Sequence, residues 1–240
     1  MKFPIASIFP GILAGILLSQ PGHANSTDYK GLAFDLKKQE PAYVEEHREI
    51  FSQDKHTSTD TRYLDNQGRN IAERTLDFSH SLCKPDYVLK DFRDGYEEGA
   101  AIVGDQVRVF VRATRNTQLK EKQIKVPEPC VIDGGFNYFL KQNWDGLLAG
   151  KRIHFNFVAP SQLDYFAFIA REDLKSEMGK NEKAFVIELE NPLIRLLVAP
   201  IRVSYDADTR RMTQYQGISN VNDSFEKSLK VRLVYPELGP

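Results

Sequence analysis

The stretch DGGFNYFLKQNWDGLLAG, residues Asp133–Gly150, decides how the rest of this chain is arranged. Phe136, Phe139, Leu140, Trp144, Leu147 and Leu148 recur in it at spacings of three and four, the period of a helix with one apolar face. Asp133 is placed to cap the start and Gly150 to end the last turn. Gly134 and Gly135 weaken the first turn by roughly 1 kcal/mol each, which lets the onset slip by a few residues. No other segment reads as a long helix, and a single apolar stripe needs a sheet to cover it.

On both sides of this helix the chain reads as short strands broken by turns. Before it come Tyr43–Phe51, Ile71–Phe78, Tyr87–Phe92, Ala100–Val103 and Val107–Ala113. In the last of these Val107, Val109 and Val111 alternate with Arg108, Phe110 and Arg112, the period of a strand with one face to a core. Asp65-Asn66-Gln67-Gly68 and Gly104-Asp105-Gln106 carry the residues of tight turns. After the helix come Ile153–Ala159 and Leu163–Ala170, joined through Pro160-Ser161, then Phe185–Leu189, Ile201–Tyr205, Met212–Ile218 and Leu229–Tyr235. Asp206–Thr209 reads as a hairpin turn, and the apolar stretch from Pro192 to Val198 reads equally as a short helix or a strand. The expected fold is mainly β and antiparallel, a curved sheet or half-barrel of about ten strands wrapped around one main helix. Residues 25–240 read as a single domain, with Pro127–Pro129 as the candidate sub-boundary.

Composition agrees with that class. Of 240 residues 41% are hydrophobic, and fifteen Phe, ten Tyr and one Trp suit strands better than long helices. With 32 Lys and Arg against 33 Asp and Glu, neither a strongly basic nucleic-acid binder nor an acidic disordered tail fits.

The N-terminus has the pattern of an export signal. Lys2 precedes an uncharged run from Phe3 to Ser19, and Gly22 and Ala24 supply small residues for cleavage after Ala24. Pro4 and Pro10 interrupt the run, which is short for a membrane span, and no other segment is long enough for one. A periplasmic protein, not membrane-spanning after cleavage, is expected. In an oxidising compartment Cys83 and Cys130 can pair as a disulfide worth roughly 4 kcal/mol of loop entropy; the alternative is two separate buried thiols.

Recognisable catalytic signatures are missing. No GxSxG elbow, HExxH, phosphate loop or dinucleotide fingerprint occurs, and Asp206-Ala207-Asp208 lacks the glycine and glutamate of a calcium loop. No enzyme activity, cofactor or metal is expected. Glu45, His47 and Glu49 share a strand face, which reads as solvated. Lys90–Glu98, with Arg74 nearby, packs charges of both signs around two aromatics, the material of either a salt-bridged outer face or a ligand head-group site. Its acidic residues Asp91, Asp94, Glu97 and Glu98 leave a carboxylate-pair hydrolase as a further alternative. Phe136, Phe139, Trp144, Phe155 and Phe157, with Tyr165, Phe166 and Phe168, form either a core or an apolar pocket.

The segments VIDGGFNYFLKQNWDGLLAG and PIRVSYDADTRRMTQYQGISNV make residues 130–235 resemble exported, uncharacterised proteins of Gram-negative bacteria. In the order of sheet, Trp-bearing helix and strands, the chain is also similar to the half-barrels of lipoprotein carriers and lipocalin-like proteins. The resemblance implies a hydrophobic concavity and no catalytic residue. The expected function is a periplasmic carrier of a lipid or other apolar molecule, with Trp144, Phe136, Phe139, Phe155 and Phe157 as walls and Arg74 and Arg93 at the head group. The alternative is an envelope interaction module that engages a protein partner.

Overall fold

The computed structural model describes residues 25–174, 179, 181–195, 198–223 and 227–236. The expected export signal, residues 1–24, lies outside the described residues.

The first half of the chain is a meander of β1 (Asn25–Asp35), β2 (Pro41–Ser52), β3 (Lys55–Leu64), β4 (Asn70–Asp77), β5 (Asp86–Asp91), β6 (Glu97–Val103), β7 (Gln106–Arg112) and β8 (Lys120–Ile124). A short β9 (Cys130–Ile132) leads into α1 (Gly135–Gln142) and α2 (Trp144–Leu148). Then follow β10 (Ile153–Ala159), a 3-10 turn (Pro160–Gln162), β11 (Asp164–Glu172), β12 (Glu182–Leu189), the one-turn helix α3 (Pro192–Arg195), β13 (Ile201–Asp206), β14 (Met212–Asn222) and β15 (Ser228–Val234). The fifteen strands form one open sheet in the order β8-β7-β6-β5-β4-β3-β2-β1-β15-β14-β13-β12-β11-β10-β9. All pair antiparallel except β9 with β10. The β1–β15 pair, with Leu32 opposite Val234, joins the two halves of the chain.

A connection shows how strongly this sheet curves. Laid flat at about 4.8 Å per strand, its edges would stand roughly 65–70 Å apart. Yet Ile124 ends one edge strand and Cys130 opens the other, and the five-residue link between them spans about 20 Å at most. The sheet therefore curls until its edges approach, and the 3-10 turn after β10 packs on β6 and β7.

The expected curved antiparallel sheet is present, but it has fifteen strands rather than about ten, and it is one large open sheet rather than a half-barrel. The strands missing from the sequence reading are β1, much of β3, β8 and β9. In β3 the inward positions are Thr59, Thr61 and Tyr63, so its alternation is of size and burial, not hydropathy. In β8 the charged run Lys120-Glu121-Lys122 protects an exposed edge from further pairing.

The single expected helix is also two. Asn143 leaves helical geometry (φ −102°, ψ 12°), and its side-chain amide donates to the Phe139 carbonyl at 2.8 Å, closing α1 before α2 starts. Asp133 does not cap α1 with its side chain; it stands outside the helix at φ 38°, with its carboxylate turned to Arg74 and Asn220. Gly135 sets how closely α1 docks, because a Cβ there would overlap the Cys83 carbonyl.

Under the helices Trp144, Leu140, Leu147, Phe185, Val203 and Tyr205 make a buried apolar cluster. The Trp144 ring stands edge-on to Phe185 and Tyr205 at centroid distances of 5.1 and 5.5 Å, a geometry worth about 0.5–1.5 kcal/mol per pair beyond area burial. A second cluster on the meander side is built on Tyr43, Tyr63, Tyr87, Leu89 and Val109.

The expected disulfide is corrected: Cys83 and Cys130 are both free. The Cys83 thiol instead donates to Gln142 Oε1 at 3.3 Å, and Cys130 is buried in β9, where loss of solvent pushes its thiol up to about 12. Among the described residues no helix is long and apolar enough to cross a membrane.

Candidate ligand-binding cavity

Curvature of the sheet and docking of α1 leave a cavity of about 720 Å³ on the concave face. That is within the roughly 300–1,000 Å³ of small-molecule sites.

One half of the lining is apolar. Phe136 enters from α1, Phe155 and Phe157 from β10, Phe166 and Phe168 from β11, with Ile187, Ile201 and Met212 beyond them. Strand alternation supplies these pairs, because residues two apart share a face.

The other half is polar and is organised by β2, whose alternate residues Tyr43, Glu45, His47 and Glu49 all line the cavity. His47 joins Glu45 Oε2 at 2.8 Å through Nε2 and the Thr61 hydroxyl at 2.9 Å through Nδ1. Tyr29 stacks on the His47 ring at 4.6 Å and donates its hydroxyl to Glu49 Oε1 at 3.1 Å. Arg74 of β4 donates to Asp133 Oδ1 at 3.0 Å, and Asn220 of β14 donates to Asp133 Oδ2 at 2.8 Å. Three distant parts of the chain thus meet at one carboxylate. The Tyr63 hydroxyl and Arg74 Nε, both buried, have no hydrogen-bond partner among the described residues.

Glu98 of β6 closes this half. Burial raises its carboxyl above the usual Glu range, against the opposing pull of the Tyr87 and Tyr96 hydroxyls, each donating at 2.7 Å, and of the Ser161 backbone. A carboxyl with a raised native value takes up protons more readily folded than unfolded. Its contribution to stability is full below the ordinary Glu range and is lost as pH rises through the native value. Glu98→Gln is therefore expected to raise the melting temperature at pH 8 relative to that at pH 4, compared with the parent; an unchanged pH profile would contradict this account. Burial likewise lowers Lys141 of α1 and His56 of β3, which both line the cavity and both contact Tyr138.

Of the residues singled out from sequence, Arg74, Phe136, Phe155 and Phe157 line the cavity. Trp144 and Phe139 do not; both are buried in the cluster under the helices. Arg93 also lies outside, paired with Asp91 and donating to the Asn222 carbonyl at 2.8 Å. The acidic set is dispersed: Asp91 holds Arg93, Asp94 accepts the Tyr96 N–H, Glu97 faces Arg112, and Glu98 alone reaches the cavity. Neighbours in β6, Glu97 and Glu98, point to opposite faces.

Sequence reading missed Glu45, His47 and Glu49, whose face reads as solvated. Glu45 is 5% exposed and His47 4%. The available signal was Tyr43 in phase with them, but Ala42 and Val44 on the opposite phase make the alternation ambiguous. Among the described residues no group of three or more His, Cys, Asp or Glu side chains could hold a metal ion.

No protein-family profile matches this chain, and no curated protein or solved structure matches it.

Proposed function

We propose that this chain is an exported binding or carrier protein that holds an amphipathic, largely apolar molecule in the cavity between its curved sheet and α1. The observation that carries this reading is the division of one 720 Å³ cavity into a phenylalanine-rich half and a hydrogen-bonded polar half. Apolar walls supply affinity through area removed from water, and a few placed polar groups supply orientation. Holding fits the geometry better than chemistry does. The Thr61–His47–Glu45 row has the connectivity of a nucleophile, base and acid, but Thr61 is 1% exposed and does not line the cavity, so its hydroxyl meets no substrate there.

The test is fluorescence of N-phenyl-1-naphthylamine, a neutral apolar probe, titrated with the purified protein. Saturable enhancement at micromolar protein is expected. Ile201→Trp places extra volume in the apolar half, at a half-buried residue that both lines the cavity and packs on the helix-side cluster, and is expected to weaken the probe at least tenfold, about 1.4 kcal/mol, while the protein stays folded. No probe binding, or undiminished binding by a folded Ile201→Trp variant, would remove this reading.

A further inference from the structure

The cavity is lined by charges of both signs, four acids against Arg74, Lys141 and Arg211. Carboxylates face it from Glu45, Glu49, Glu98 and Asp133. Arg74 is largely engaged: its guanidinium donates to Asp133 at 3.0 Å and to the Thr61 hydroxyl at 3.4 Å, and its unpartnered Nε is buried away from the cavity surface. At Arg74 an anionic head group would have to displace Asp133 and then lie beside Glu45, so it would trade one carboxylate for another and add repulsion.

An ammonium group meets the reverse situation. Glu45 Oε2 accepts from His47 at 2.8 Å and from the Tyr235 hydroxyl at 3.4 Å, while Oε1 accepts no hydrogen bond among the described residues. Glu45 is almost fully buried, yet this second oxygen is not sealed in the core and is left open on the cavity side for a donor. Four residues along β2, Glu49 receives Tyr29 on Oε1 and leaves Oε2 open. Between the two carboxylates lies the stack of Tyr29 on His47, with the Tyr235 ring edge-on to Tyr29 at 6.0 Å. Carboxylate oxygens beside aromatic faces are what an alkylammonium binds best, through charge-assisted hydrogen bonds and ring quadrupoles together. Lys141, the competing cation, lies across from Glu49 over the Tyr138 ring at 5.8 Å and forms no ion pair within 4.0 Å among the described residues.

We infer that the polar end of the ligand is an ammonium group held on the Glu45–Glu49 face of β2, beside the Tyr29 and Tyr235 rings. This rests on the carrier reading of the cavity. The experiment is displacement of N-phenyl-1-naphthylamine by dodecylamine, dodecanoate and dodecanol, amphiphiles of one chain length, each below its micelle concentration. Dodecylamine is expected to displace the probe at concentrations at least tenfold lower than dodecanoate. Glu45→Gln is expected to erase the difference. Should that variant fail to fold, Glu49→Gln, at a less buried position, is expected to reduce it. Equal or better displacement by dodecanoate, or an amine preference untouched in both variants, would overturn the ammonium assignment while leaving the carrier reading in place. Absence of any probe binding removes both.

Discussion

Replacement of Arg74 by methionine is expected to destabilise the protein by about 3–5 kcal/mol, read as a fall in melting temperature of roughly 6–20 °C. The reason is what remains behind. Asp133 keeps the Asn220 amide and the Gly134 N–H but loses its cation, and Glu45 loses a nearby positive charge. Both members of the Arg74–Asp133 pair are largely removed from solvent, so the orphaned carboxylate is not rescued by water as it would be on a surface. The pair also ties β4 to the loop before α1 and, through Asn220, to β14. Changing Asp133 to Asn in the same molecule removes the unpaired charge and is expected to restore a substantial part of the loss. A cost under about 1 kcal/mol for the single change, the usual worth of an exposed pair, would show that this cluster is far wetter than its burial implies.

Trp144→Ala is expected to cost a similar amount, about 3–5 kcal/mol, and to leave probe affinity within twofold of the parent. At 4% exposure the indole fills the space between Phe185 and Tyr205, and neither the α2 backbone nor the underlying strands can close over so large a void. The two readouts separate the two roles that the sequence leaves open for this residue. A core residue loses stability without affinity. A wall of the ligand site would lose affinity in a variant that is still folded at the temperature of measurement, and that outcome would refute the placement of Trp144 outside the cavity.

These expectations differ from those drawn from sequence in an instructive way. Phe136 and Phe139 belong to the same apolar stripe of α1, yet Phe136 faces the cavity and Phe139 packs against Phe155 at 4.8 Å in the core. A helical period identifies the buried side of a helix but not which part of that side meets a packed neighbour and which meets a void. The same limit applies to charge. Arg74 and Arg93 are equivalent candidates in the sequence, both assigned to the head group. One is buried against Asp133 because β4 lies near the middle of the meander; the other sits at the β5–β6 turn, which Gly95 closes at φ 82°.

Alternation of Val107, Val109 and Val111, the period of the Asp133–Gly150 helix, and the turn residues at Gly104-Asp105 and Asp206–Thr209 are local properties. Short-range sterics and hydrogen bonding enforce them within a few residues. They determined that this protein is a set of antiparallel hairpins with one helical interruption, and the structure keeps each of those elements, with the helix split at Asn143. The number of strands, the curl of the sheet and the cavity were decided only in three dimensions. The curl follows from a five-residue link that draws the two edges of a fifteen-strand sheet together, and the polar pole follows from it, because curvature buries the Glu45–His47–Glu49 face that a flat sheet would leave in water. Strand alternation specifies two faces of equal standing, and only the long-range packing of α1 and β14 against one of them makes that face the inside.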